Sequence, residues 1–285
     1  MKKIIRKVSR LIPDKIYISL MYLKYFHRFP DLKKPQTFNE KLQWLKLYDR
    51  RPEYTKMVDK YAVKRYIADI IGEEYLIPTL GVWNAFDDID FDKLPNQFVL
   101  KCTHDSHSII ICKDKSNFDI RAARVKIEKA LKRNFYYYGR EWPYKNVPAR
   151  IIAEKYMKDA HSEDLRDYKF FCFNGEVKFL YLSEGLDNPE TGKISYVSLN
   201  WEPLSFCRDD YKPFSRLPDK PQNLDQMIKF AAMLSKGIPH IRVDFYEINN
   251  QIYFGELTLY SGSGLTMFNP PSADLEIGKL LKLPQ

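Results

Sequence analysis

Residues 240–264, HIRVDFYEINNQIYFGELTLYSGSG, decide the fold. The first half alternates. Ile241, Val243 and Phe245 fall on one face, and Arg242, Asp244 and Tyr246 on the other. The second half puts Phe254, Glu256 and Thr258 on a common face, because strand side chains repeat every second residue. Asn249-Asn250 supplies turn chemistry between the two strands. Two carboxylates on neighbouring strands can hold a hard cation such as Mg²⁺ through oxygen atoms. Asp244 and Glu256 must then share a face. A plain two-residue turn at Asn249-Asn250 pairs Asp244 with Gly255 and sends Glu256 to the opposite side. A three-residue loop, or one bulge, pairs Asp244 with Glu256 directly. Arg242 then sits on the same face with a fork suited to phosphate oxygens. The alternative is a surface hairpin carrying a solvated ion pair, which stabilises little.

The rest of the chain sets the bounds. Its 285 residues suffice for one large or two modest domains, and 46 basic against 37 acidic residues give a net charge of +9. That balance suits an anionic partner such as nucleotide phosphates, acidic glycans or anionic lipid. No nucleic-acid module is recognisable, so no nucleic-acid partner is expected. Cys102, Cys112, Cys172 and Cys207 form no CxxC pair and read as reduced core thiols of a cytoplasmic protein. The longest uncharged run, residues 257–273, is broken by Gly, Pro and Ser and is too short to span a bilayer. The basic start MKKIIRKVSR carries Ile4, Ile5, Val8, Leu11 and Ile12 at helical spacing. Residues 1–12 therefore read either as a peripheral contact with an anionic membrane or as a packed helix with a solvated basic face.

Residues 1–75 read as helical. Thr37 and Glu40 make a capping box, and Pro52 opens a further helix whose apolar stripe is assigned to core alone. From Tyr75 the pattern changes to strands and turns. A strand at residues 97–101 ends in Lys101, followed by the polar turn 103–107 and a second strand at 108–112. A lysine so placed is a candidate phosphate grip. Residues 150–157 form a strand with a polar exit. Residues 168–182 form a hairpin turning at Asn174-Gly175. Residues 183–222 read as loop, and 223–235 as helix.

In this order the motifs resemble the ATP-grasp superfamily, and more narrowly its TupA-like branch, which is associated with teichuronopeptide and other bacterial surface polysaccharides. The segments that carry the resemblance are TFNEKLQWLKLYD, DKYAVKRY, FDKLPNQFVLKC, AEKYM, DYKFFCFNGE and GELT, from about Lys34 onward. The resemblance implies an α+β fold of two lobes with ATP between them, behind a helical N-terminal region. Its boundaries would be 1–75 for the helical region and 76–285 for the ATP-grasp domain, with a smaller lobe at about 76–153 and a larger one at about 154–285. It implies a Mg²⁺-dependent carboxylate–amine ligase working on an acidic sugar or polysaccharide precursor with an amine or amino acid.

The resemblance also assigns roles. Lys101 contacts phosphate and shares the catalytic role with Arg242. Glu154, Lys155, Tyr156 and Met157 form the interlobe strand beside adenine, Glu163 faces the ribose, and Lys169 joins the nucleotide set. Asp244 and Glu256 bind Mg²⁺, with Thr258 where most ATP-grasp enzymes carry Asn. The phosphate loop departs from the family's glycine-rich form: it reads His104-Asp105-Ser106-His107, leaving His104 and Ser106 as donors and adding an acidic residue. Two other readings remain. One is a glycosyltransferase using Asp88-Ile89-Asp90 as a D-x-D string, and the other is an ATP-binding protein without turnover.

Overall fold

The computed structural model describes residues 10–106, 108–160, 165–186, 188 and 190–284. Four helices come first: α1 (Asp14–Phe26), α2 (Phe38–Tyr48), α3 (Glu53–Val58) and α4 (Ala62–Ile71). The capping box of α2 forms as the sequence predicts. Thr37 accepts from the Glu40 backbone, and the Glu40 carboxylate reaches back to the Thr37 N–H. Residues 1–9 of the basic N-terminal segment lie outside the described residues.

The next stretch makes a small sheet. Its strands are β1 (Thr79–Trp83), β2 (Phe98–Cys102) and β3 (Ile110–Cys112), then, after helices α5 (Ile120–Leu131) and α6 (Tyr136–Gly139), β4 (Ile151–Lys155). All pairings are antiparallel, in the order β1-β4-β2-β3. The sheet has its own core, in which Phe98, Leu100, Ile151 and Ala153 pack on Ala123 and Ile127 of α5.

The larger sheet follows. Strands β5 (Asp167–Phe173) and β6 (Glu176–Glu184) form the expected hairpin, and β7 (Lys193–Val197) extends it. This corrects the loop reading of residues 183–222. The segment KISYV is a good strand sequence with buried Ile194, Ser195, Tyr196 and Val197, but it is too short to show a period among its Gly, Pro and Asp neighbours. After β8 (Cys207–Arg208) and α7 (Leu224–Leu234) come β9 (His240–Ile248) and β10 (Gln251–Thr258), then β11 (Phe268–Asn269) and α8 (Ser272–Leu280). The large sheet runs β10-β9-β5-β6-β7.

The N-terminal helices do not stand apart from this sheet. Phe38, Leu42, Val63 and Ile67 share one core with Phe170, Phe173, Val243 and Phe245. Phe38 is fully buried, with its ring edge-on to His240 at 4.9 Å and against Phe173 at 5.8 Å. Truncating it opens a cavity at the joint between α2 and the site-bearing strand. Phe38→Ala is expected to lower unfolding free energy by about 3–5 kcal/mol in urea titration. A loss below about 1 kcal/mol would show that the helices and sheet are not one cooperative core.

Candidate functional site

The hairpin resolves the parity question with the bulge alone, keeping the two-residue turn. Asn249 and Asn250 form a two-residue turn in the left-handed region, with φ of 51° and 62°. The ladder then slips once between Phe254 and Glu256, so Glu256 pairs with Asp244, and Thr258 with Arg242. Gly255 is the extra residue. A Cβ there would come within 3.1 Å of the Asp244 carbonyl oxygen.

Across β9 from this pair lies Lys169 on β5, in register with Asp244. Three neighbouring strands thus set Lys169, Asp244 and Glu256 in a row. Asp244 is almost fully buried. Arg242 grips it with two bonds of 2.7 Å, and Lys169 donates a third at 2.9 Å. Arg242 also donates to the Thr258 hydroxyl at 3.0 Å. Burial alone would push the Asp244 carboxyl up, but Arg242 and Lys169 together hold it below the usual carboxylate range. Lys169 is pressed down by burial and lifted further by Asp167 and Asp244, so its ammonium is held well above normal.

The smaller sheet presents a second carboxylate clamped the same way. Glu154 on β4 takes Lys101 of β2 at 2.5 Å and Lys64 of α4 at 2.7 Å. Burial opposes its charge, and the two lysines overcome it, lowering its pKa. Lys64 also donates to the Ile77 carbonyl at 2.6 Å. Lys60 crosses between the lobes. It donates to the Asp105 carbonyl and lies 3.7 Å from Glu256. Lys60, Lys64, Lys101, Glu154 and Glu256 all line one cavity of about 70 Å³, walled by Met57, Val63, Leu76 and Phe254.

Sequence reasoning left Lys60 and Lys64 out of the site. For Lys64 a signal was present: Val63, Lys64, Ile67 and Ile71 fall on one helical stripe, so a lysine interrupts an otherwise apolar face, whereas Lys60 lies in the turn just before α4. Other assignments change. His104 is buried with Nε2 at 3.2 Å from the Ala130 carbonyl, so that side of its ring faces the smaller lobe's core. Asp105 is buried as well. Its carboxylate accepts from Ser108 at 2.5 Å, and Ser108 in turn accepts from the Cys102 N–H at 2.7 Å. That tie replaces the glycine-rich form and turns the added negative charge onto a hydroxyl. Ser106 is half-buried at the turn, Lys155 is exposed, and Tyr156 and Met157 are half-buried. Glu163 lies outside the described residues. Asp88 and Asp90 each close their own turn, on the N–H groups of Ala85 and Asp92, so the D-x-D string is local turn chemistry.

A model of TupA-like ATP-grasp proteins matches residues 40–282, most of the chain. The chain belongs to that family. No curated protein matches it. Among solved structures, it is similar to D-alanine–D-alanine ligase from Helicobacter pylori, with 15% identity, a TM-score of 0.47, and coverage of 86% of this chain and 69% of that one. The corresponding enzyme from Bacillus anthracis gives 16% identity, a TM-score of 0.43, and 79% and 63% coverage. N5-carboxyaminoimidazole synthetase from Staphylococcus aureus gives 12%, 0.40, and 80% and 53%. The chain therefore spans less than two thirds of the last two enzymes.

Within this ATP-grasp chain, the loop after Thr258 is held as firmly as the strands. Gly262, Ser263 and Gly264 all take left-handed φ of 55–61°. Lys46, buried from α2, donates to the Ser263 carbonyl at 2.7 Å, its hydroxyl at 2.9 Å and the Gly139 carbonyl at 2.8 Å. Burial pushes its ammonium down to about 8. Among the described residues, no helix is long and apolar enough to cross a membrane, and all four cysteines are free.

His240 anchors the start of the same loop, with Nδ1 at 2.9 Å from the Cys172 carbonyl and Nε2 at 3.2 Å from the Ser261 hydroxyl. Burial pushes its imidazole down to about 3. The unfolded chain binds this proton near pH 6.5 and the folded chain does not, so stability is full above that value and falls as pH drops toward 3. Between pH 7 and 5 the wild type is expected to lose about 2 kcal/mol more than His240→Gln in urea unfolding. Equal losses would mean that His240 protonates freely in the folded state.

Proposed function

We propose that the protein is an ATP- and Mg²⁺-dependent carboxylate–amine ligase of bacterial surface-polysaccharide synthesis. The observation that carries this reading is the cleft itself. Cations from both lobes and from the N-terminal helices converge there on carboxylates that phosphate oxygens can replace. The overall reaction transfers the terminal phosphoryl group of ATP to a substrate carboxylate. An amine then displaces phosphate, giving an amide, inorganic phosphate, ADP and a proton.

The chain's residues divide that work. Lys101 and Lys60 stand where phosphate oxygens would draw them away from Glu154 and Glu256, freeing both carboxylates. Lys64 stays on Glu154 and keeps it ionised as an acceptor beside the base. Arg242 and Lys169 lie on the developing charge at the transferred phosphoryl, where fixed donors outperform water because they need no reorientation. Asp244 and Glu256 are direct cross-strand partners with oxygen ligands and the Thr258 hydroxyl is next in the row, and a hard cation held there would take the place of Arg242 and Lys169 on Asp244. When bound, Mg²⁺ would supply further charge cancellation on the phosphate oxygens. Glu163 and the residues 155–157 complete the proposed nucleotide set, and a lipid-linked acidic sugar would suit the basic residues 1–12. The hydrogen bond from Ser108 to the Asp105 carboxylate supports retained activity over an inert nucleotide binder, because it engages the added carboxylate within the loop.

Calorimetry with ATP and Mg²⁺ tests the reading. Wild-type binding is expected to require Mg²⁺ and to be lost in Asp244→Asn with Glu256→Gln, and each single change should cost about 100-fold or more in turnover. Full Mg²⁺-dependent turnover in either single variant would remove the metal assignment. Stabilisation by UDP-sugars without any ATP binding would favour a glycosyltransferase.

A further inference from the structure

Helix α1 departs from the pattern of a surface helix. Such a helix keeps its apolar residues on one side, and a helix that is apolar all round is ordinarily buried all round. Apart from Asp14, Lys15, Ser19 and Lys24, every residue of α1 is apolar or aromatic. Its inner side is used: Ile18 and Tyr22 are buried. Its outer side is not. Ile16, Leu20 and Leu23 recur at the spacing that stacks side chains along one line of a helix. Ile16 is 52% exposed and Leu20 48%, and Leu23 is half-buried. Phe29, just past the helix, is 60% exposed.

The helix is pinned so that this line stays outward. Asp14 accepts from Arg50 at 2.8 Å and from the Tyr136 hydroxyl, and the Tyr17 hydroxyl donates to the Tyr138 carbonyl at 3.1 Å. Beyond the far end of the helix, Arg28 is held by Glu40 at 2.5 Å. Val125 on α5 makes the contrast. It is exposed too, but Arg121 and Lys129 stand one turn away on either side, which is ordinary for a surface helix.

The surroundings of the line say what covers it. Residues 10–34 carry six basic side chains and two acidic ones. Both acidic ones are occupied, Asp14 as above and Asp31 by the N–H groups of Lys33 and Lys34. Lys15 and Lys24 flank the line on its two sides and are exposed, as are Lys33 and Lys34 further on. A second copy of the chain would bring the same positive rim against this one, and facing like charges disfavour that contact. A folded protein partner would need a groove shaped to side chains that stand this far out. Anionic lipid needs no such groove: its headgroups meet the lysines, and its fluid acyl boundary closes around the apolar side chains. Lysine stems let the ammonium groups stay at headgroup level while the apolar line dips below them. With 13 residues α1 is too short to span a bilayer, so it would lie along the surface.

We propose that the outer face of α1, with Ile16, Leu20 and Leu23 between Lys15 and Lys24, is a docking surface for an anionic lipid bilayer. The contact goes beyond the ligase reading and does not rest on it, and its residues are distinct from the basic start of the chain, 1–12.

Co-sedimentation of the full chain with vesicles tests it, using phosphatidylcholine alone and an equal mixture of phosphatidylcholine and phosphatidylglycerol. The wild type is expected to sediment with the mixture and to stay in solution with phosphatidylcholine. Ile16→Ser with Leu20→Ser should weaken binding to the mixture about tenfold or more, and Val125→Ser should leave it unchanged. If the serine pair does not fold, Lys15→Gln with Lys24→Gln must weaken binding in its place. A wild type that stays in solution with the mixture, or sediments equally with phosphatidylcholine, would overturn the anionic-lipid assignment. Undiminished binding in the serine pair, or an equal loss in Val125→Ser, would overturn the location. A wild-type dimer in light scattering that the serine pair makes monomeric, without vesicle binding, would give the face to a second copy instead.

Discussion

The site depends on a parity constraint. Two carboxylates on adjacent strands can meet only if the ladder register puts both on one face, and a two-residue turn puts Asp244 and Glu256 on opposite faces. The single slip at Gly255 reverses that parity. It works because a residue without a side chain can pass 3.1 Å from the Asp244 carbonyl. Everything downstream inherits the shift: Thr258 comes opposite Arg242, and the loop 261–264 leaves the sheet on the side where Lys46 and His240 can hold it.

A second constraint is electrostatic. Asp244 and Glu154 are buried, one in each lobe, and each is shared by two cations. A buried carboxylate without such partners would give up its charge, and removing one partner of a buried pair is costly. The cations are thus held in the cleft by the protein's own anions. A polyphosphate can compete for them because it brings more oxygen atoms and charge than one carboxylate. In the proposed ligase the same pairing would preset the response to nucleotide, with Lys101 and Lys60 drawn off their carboxylates by phosphate oxygens while Lys64 remains on Glu154.

Much of this was legible in the chain. Alternation over residues 240–246 located the strand, Asn249-Asn250 located the turn, and the need for an odd register followed from the two acidic positions. The capping box at Thr37 and the hairpin at Asn174-Gly175 were local signals and came through intact. Long-range facts were not legible. No local pattern says that α4 packs against the cleft, so Lys64 was left unassigned although it interrupts an apolar stripe. The His104 ring was given to phosphate because it follows Lys101, yet burial against Ala130 governs it. Strand β7 was lost because five residues between turn formers are too few to display a period.

The N-terminal helices join these elements. Helix α2 supplies Phe38 to the core beneath β9 and Lys46 to the site loop, while α4 supplies Lys64 to the cleft. One helical layer thus touches both the cleft and the loop that follows Thr258. A side chain on that layer is held by a core it shares with the large sheet. In the proposed ligase that shared core would help hold the reacting groups in place, where a small misplacement removes much of the gain from holding them together.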